Sequence, residues 1–169
     1  MIVTDMRQKS ASGRAVRAGA AVLAVAAALV LLGAAEAATS RLVWSDRVTG
    51  FAIGGFDPLT YFTTRRPKQG DEDYEYDWQG VTWRFVNQGN RAAFMRHPDI
   101  YAPQFGGYDA NAMSEGKMVE GNPNIWMKQK QRIYLFSSRK NRALWMIRRD
   151  DKIAIARDNW ESMQRYLQP

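Results

Sequence analysis

The chain has 169 residues, with 24 Lys+Arg against 17 Asp+Glu, one histidine and no cysteine. The missing cysteine excludes disulfides, thiolate metal sites, covalently attached c-type haem and a cysteine nucleophile. A net charge of +7 is mildly basic, and nucleic acid is not expected as a partner of a protein with the address described next.

Lys9, Arg14 and Arg17 precede an uncharged run from Ala18 to Gly33, AGAAVLAVAAALVLLG, and Ala35-Glu36-Ala37 follows it. Basic, apolar and small-residue regions in that order make a secretory signal peptide, cleaved near Ala37, which sends the mature chain to the periplasm or out of the cell. The alternative is an uncleaved membrane anchor. The run falls short of the roughly 20 apolar residues that span hydrocarbon, so cleavage is the favoured reading. Residues 1–37 are then the signal peptide, 38–50 a lead-in, and 51–169 one folded domain. Every Phe, Trp and Tyr lies after residue 37, which suits a small exported domain that builds its core without cross-links.

In chain order, Arg41 to Trp44 reads as an edge strand, and the apolar Phe51-Ala52-Ile53 stops at Gly54-Gly55. Asp57 can cap, and Pro58 can open, one or two helical turns over 58–63. The stretch 74–86, YEYDWQGVTWRFV, alternates aromatic and polar residues on both sides of Gln79-Gly80. Period two about a two-residue turn is a β-hairpin. Asn87 caps a helix over 88–96, which Pro98 ends. The segment 101–116, YAPQFGGYDANAMSEG, is a glycine corner followed by a short helical piece at 110–115. Ile125 to Met127 and Ile133 to Phe136 make a second strand pair. Ser138 caps a helix over 139–149 with Leu144, Trp145 and Ile147 inward. A last helix over about 151–167 has Ile153, Ile155, Trp160, Met163 and Tyr166 as its inner positions. No internal repeat is identified. The fold class is α+β: antiparallel hairpins packed with short helices in a single small domain.

Gly55 to Phe62 (GFDPLTYF), Gly80 to Phe85 (GVTWRF), Phe94 with Pro98, Tyr101 to Tyr108 (YAPQFGGY), Ile133 to Leu135, Trp145 and Ala156 to Trp160 (ARDNW) together resemble the exported YHS domain-containing proteins of bacteria. The resemblance covers nearly all of the mature chain. It implies a short secreted or periplasmic protein of a family mostly without an assigned activity. The wider YHS group includes modules within metal transporters and oxygenases, for which metal binding through cysteines is suspected. This chain departs from the family's pattern after Gly106-Gly107-Tyr108, where relatives typically carry a cysteine and often a tyrosine two residues on. Here those positions are Asp109 and Asn111. A carboxylate is a hard ligand and a thiolate a soft one, so thiol-dependent chemistry does not carry over.

The candidate ligand-binding residues are Tyr61, Tyr101, Phe105, Gly106, Gly107, Tyr108 and Asp109; the aromatic ones read equally as core. The candidate metal ligands are His97, Asp109 and Met113, for a divalent or copper ion, although their spacing matches no standard metal motif. Asp109 reads either as a ligand or acid-base group, or as the N-cap of the 110–115 segment, and the cap is favoured. His97 can instead pair with the negative end of its helix. Residues 128–149 hold eight Lys or Arg and no acid, a run that can face solvent, anionic lipid or an acidic partner.

The chain contains no nucleophile elbow, zinc-protease motif, phosphate loop or dinucleotide fingerprint. The favoured reading is therefore a non-enzymatic binding module of the cell envelope, for a small ligand, a weakly held metal ion or an envelope protein. The alternatives are an acid-base enzyme using Asp57, Asp109 or Tyr108, and a structural protein that meets an anionic membrane surface or a partner through the basic 128–149 face.

Overall fold

A computed structural model describes residues 42–167; the signal peptide expected over 1–37 and the start of the expected lead-in, Arg41 included, lie outside the described residues. The two alternating stretches become two antiparallel hairpins: β1 (Asp71–Trp78) with β2 (Val81–Phe85), and β3 (Asn122–Gln129) with β4 (Arg132–Phe136). Six helices accompany them: α1 (Thr60–Thr63), α2 (Gln88–Arg96), α3 (Pro98–Tyr101), α4 (Ala110–Ser114), α5 (Arg139–Ile147) and α6 (Arg149–Leu167). The α+β expectation holds. Among the described residues no helix is long and apolar enough to cross a membrane.

The fold corrects one expectation outright: there is an internal repeat. Strand, strand and helix recur at a constant spacing of 51 residues, from 71 to 122, from 81 to 132 and from 88 to 139. The registers recur too. Trp78 pairs with Val81 and Asp71 with Phe85, and Gln129 pairs with Arg132 and Asn122 with Phe136. Each long strand carries a bulge at the same place, before Glu75 and before Trp126. Upstream, Ile53-Gly54-Gly55-Phe56-Asp57 matches Phe105-Gly106-Gly107-Tyr108-Asp109. Ile53 and Phe105 both take positive φ, 45° and 58°, a conformation rare for such side chains. The bridge of Phe56 to Gln69 is repeated by that of Tyr108 to Glu120.

The repeats share one interior. Val43, Ala52, Ile53, Tyr61, Trp83, Phe85 and Phe94 pack in a buried cluster with Ile133 and Leu135 of the second repeat. Phe94 lies at the centre of this cluster, with the rings of Trp83 and Phe85 at 4.9 and 5.2 Å. The equivalent helix position in the second repeat is Trp145, fully buried against Tyr134 and Phe136.

Helices α3 and α6 begin at equivalent positions, 98 and 149, but α3 stops after four residues and α6 continues to Leu167. Helix α6 buries Ile153, Ala156, Trp160 and Met163, whose spacing by threes and fours draws one stripe along a helix. Ile155 and Tyr166, expected to face inward, fall off that stripe and are exposed, as are Leu144 and Ile147 on α5. On α5 one large anchor, Trp145, replaces the expected three.

The corner at Gly106-Gly107 is where these parts meet. Gly106 has φ +61°, and a Cβ there would lie 2.0 Å from the Leu42 carbonyl oxygen. Its own carbonyl accepts from Trp44 N at 2.8 Å. Gly107, at φ +82°, leaves room for Ile53, whose Cγ2 a Cβ would meet at 2.8 Å. Gly106→Ala should therefore cost well over the ~1 kcal/mol that an unfavourable φ alone costs, because backbone cannot step aside as a flexible side chain can. Urea unfolding monitored by tryptophan fluorescence checks this, and a loss of under about 0.5 kcal/mol, the size of an ordinary surface change, would show that the corner is not tight.

Candidate functional site

Asp57 and Asp109 follow the two Gly-Gly turns, and both are fully buried. A buried carboxylate is tolerable only when donors surround it. Asp57 accepts from Leu59 N through Oδ1 at 2.8 Å, and through Oδ2 from Val86 N at 2.8 Å and Asn90 Nδ2 at 2.6 Å. Asp109 accepts from Ala112 N through Oδ1 at 2.9 Å. Its Oδ2 takes Ser137 N at 2.6 Å, Ser137 Oγ at 2.5 Å and Asn141 Nδ2 at 2.7 Å. In both repeats the carboxylate thus caps the following turn and ties it to the residue after the hairpin and to the first turn of the next helix. That helix is itself capped, by Asn87 onto Asn90 N and by Ser138 onto Asn141 N. The cap expected for Asp109 is present, and the carboxylate has further donors besides.

The other residues singled out from sequence do not converge. His97 is exposed at the junction of α2 and α3, whereas Met113 is buried in the second cluster. Among the described residues no group of three His, Asp or Glu is placed to hold a metal ion. Tyr61 is buried, donates to Pro123 O at 2.9 Å and meets the Trp126 ring edge-on at 5.2 Å. Burial, and then the Asp57 charge, push its phenol above the usual tyrosine range, so it remains a neutral donor that ties the two repeats together. Tyr101 packs edge-on against Phe62, and Tyr108 lies 6.1 Å from the Trp160 ring.

Phe105 and Gly106 do line a cavity. It has a volume of about 320 Å³ and is walled by both repeats and by α6. Trp78 and Trp83 come from the first hairpin, Arg132 and Tyr134 from the second, and Ile153, Arg157 and Trp160 from the helix. An adjoining cavity of about 290 Å³ shares Arg132, Tyr134, Ile153 and Arg157 and adds Gln129, Lys130 and Asp150. Tyr134 is 5 % exposed. Burial holds its phenol above the usual tyrosine range, partly offset by the charges of Arg157 and Arg132. Arg132 donates through Nη1 to the Asp99 carbonyl.

Sequence reading missed Arg132, Tyr134, Arg157, Trp78 and Trp160 as cavity residues. Arg132 was visible only as part of the basic run 128–149, and the tryptophans as ordinary core aromatics. What separates them from their neighbours is the facing of two hairpins, which spacing along the chain does not encode. No protein-family model, curated protein or solved structure matches this chain.

Truncating either clasp strands three or four donors, each costing about 1–3 kcal/mol when left unpaired. Asp57→Ala and Asp109→Ala should each destabilise the domain by at least ~3 kcal/mol in chemical denaturation. Asp109→Asn, which keeps the shape but turns an amide donor toward Asn141, should also be clearly destabilising. A near-neutral Asp109→Ala would show that this carboxylate is not a structural clasp.

Proposed function

We propose that this chain is an exported, non-enzymatic binding module of the YHS type, whose ligand is a small organic molecule held in the cleft between its two repeats. The observation that carries the reading is the cleft itself. Its volume of about 320 Å³ lies at the lower end of the range used by small-molecule sites, roughly 300–1,000 Å³. Its walls combine three tryptophans with a largely polar remainder, including Asp99, Arg132, Tyr134, Arg157 and Glu161, so rings are available for affinity and charged groups for orientation. Export rests on the basic, apolar and small-residue order of 1–37, and the YHS assignment on the motifs quoted above.

Two observations favour binding over acid-base catalysis. Asp57 and Asp109 spend their oxygens on the fold, and neither lines the cleft. The glycine corner, in this reading, shapes one wall through Phe105 and Gly106 rather than presenting a reactive group. Where relatives place a thiol, this chain has the same carboxylate clasp that its first repeat uses.

A second reading has its own support. Helix α5 exposes Met146 and Ile147 beside the exposed Arg139, Lys140, Arg142, Arg148 and Arg149, the mixture that meets an anionic membrane surface. Binding to vesicles containing phosphatidylserine, lost at about 0.5 M salt and absent for neutral vesicles, would support it. Indifference to Arg139→Glu with Arg142→Glu would remove it.

For the cleft, a panel of small aromatic compounds should raise the melting temperature and alter tryptophan emission, since Trp78, Trp83 and Trp160 line the site. Trp160→Ala should abolish the response. A panel without any effect on either signal would contradict the cleft as a ligand site.

A further inference from the structure

The duplication lets the two walls of the cleft be compared position by position. At a spacing of 51 residues, Trp78 corresponds to Gln129, Val81 to Arg132 and Trp83 to Tyr134. The first repeat is apolar at all three. The second is polar at all three, and Gln129, Arg132 and Tyr134 all line the adjoining cavities. The hairpin register alone does not require that difference, since the first copy carries apolar residues at these positions; Gln129 and Arg132 each make one bond within the chain, to Asp150 and to the Asp99 carbonyl.

The polar wall is incompletely satisfied within the chain. Gln129 is 9 % exposed, and its Nε2 donates to Asp150 Oδ1 at 3.0 Å. Its Oε1 is buried without a hydrogen-bond partner among the described residues. Such an acceptor costs about 1–3 kcal/mol and needs an explanation. Among the described residues, neither Arg132 nor Arg157 forms an ion pair with a carboxylate. Both line, together with Tyr134, the wall shared by the two cavities. Acids are present: Asp99 and Glu161 line the larger cavity and Asp150 the smaller. Asp150 is engaged by Gln129 and lies 3.9 Å from Arg149. Glu161 stands one helical turn beyond Arg157 without pairing to it.

Resting on the reading of the cleft as a ligand site, we infer that the ligand carries an oxyanion, a carboxylate or a phosphate, seated between Arg132 and Arg157 beside the Tyr134 hydroxyl, with an apolar ring against Trp78, Trp83 and Trp160. Two guanidinium forks and a phenol O–H supply donors suited to such a group. The orphan Gln129 Oε1 is itself closed off from solvent and takes no part in this seat. This makes an aromatic acid or an aryl phosphate the best-fitting class.

Calorimetric titration of the exported domain tests this with phenylacetate, phenyl phosphate, the neutral phenylacetamide and the cationic phenethylamine. At least one anion should bind about tenfold or more tightly than the amide, and the amine weakest of all. Arg157→Gln, on an exposed helix position, should reduce that preference to less than about threefold, with Arg157→Lys recovering part of it. Arg132→Gln should act likewise, its fold checked by the unfolding midpoint. Glu161→Gln should tighten the anion. Which anion wins separates carboxylate from phosphate. Equal binding of anion and amide, or a preference that survives Arg157→Gln, overturns the oxyanion inference while leaving the binding module standing. No binding by any probe up to about 10 mM overturns the cleft reading and this inference with it.

Discussion

A carboxylate buried in an apolar interior is stable only where its oxygens meet enough donors. This domain contains two such groups, and each has one arrangement of chain that satisfies it. Asp57 and Asp109 each draw together a Gly-Gly corner, the end of a hairpin and the start of a helix. Any slippage of these segments would leave a buried charge unpaired. The hydrophobic clusters supply most of the driving force for folding, whereas the carboxylates specify how the pieces are joined.

Because the joint occurs twice, the described domain is built from two copies of one supersecondary unit around two buried clusters, the first of which takes residues from both copies. The copies have diverged where their surroundings differ. The chain after α2 turns at α3 into the second corner, while the chain after α5 continues into α6, which covers the second cluster. That helix is held by polar contacts as well as by its apolar stripe. Lys152 Nζ donates to Asn111 Oδ1 at 2.6 Å, and Asn159 Nδ2 to Met113 O at 2.9 Å. The cleft follows from this asymmetry: residues of both hairpins, of the 99–106 segment and of α6 line it, and the two hairpins contribute side chains of different polarity.

Much of the fold was legible along the chain. The hairpins, the caps at Asn87 and Ser138, and the 88–96 helix follow from period-two alternation and from side chains that cap amides. The repeat was not legible as such, although Gly-Gly-aromatic-Asp occurs at 54–57 and 106–109 and Asn-Arg-Ala at 90–92 and 141–143. Between these islands the copies share character rather than identity, as in Phe94 and Trp145, or only a backbone donor, as in Val86 and Ser137. The inner face of α6 was misjudged at Ile155 and Tyr166 because apolarity was counted without the angle around the helix. For the site, Asp109 could be read as a cap, but not as a clasp to Ser137 and Asn141, since those donors lie about 30 residues away and meet it only after the second hairpin forms. The residues of the larger cavity come from five separate segments, and tertiary assembly alone places them together.

The account rests on the equivalence of the two clasps, and a pair of double-mutant cycles measures it most directly. One cycle couples Asp57 with Asn90 and the other Asp109 with Asn141, by alanine substitution and urea unfolding. The predicted result is a favourable coupling of about 1–3 kcal/mol in both cycles, similar in the two repeats. A coupling near zero in the second cycle, with a normal value in the first, would contradict the account, since Asp109 would then not be the structural twin of Asp57.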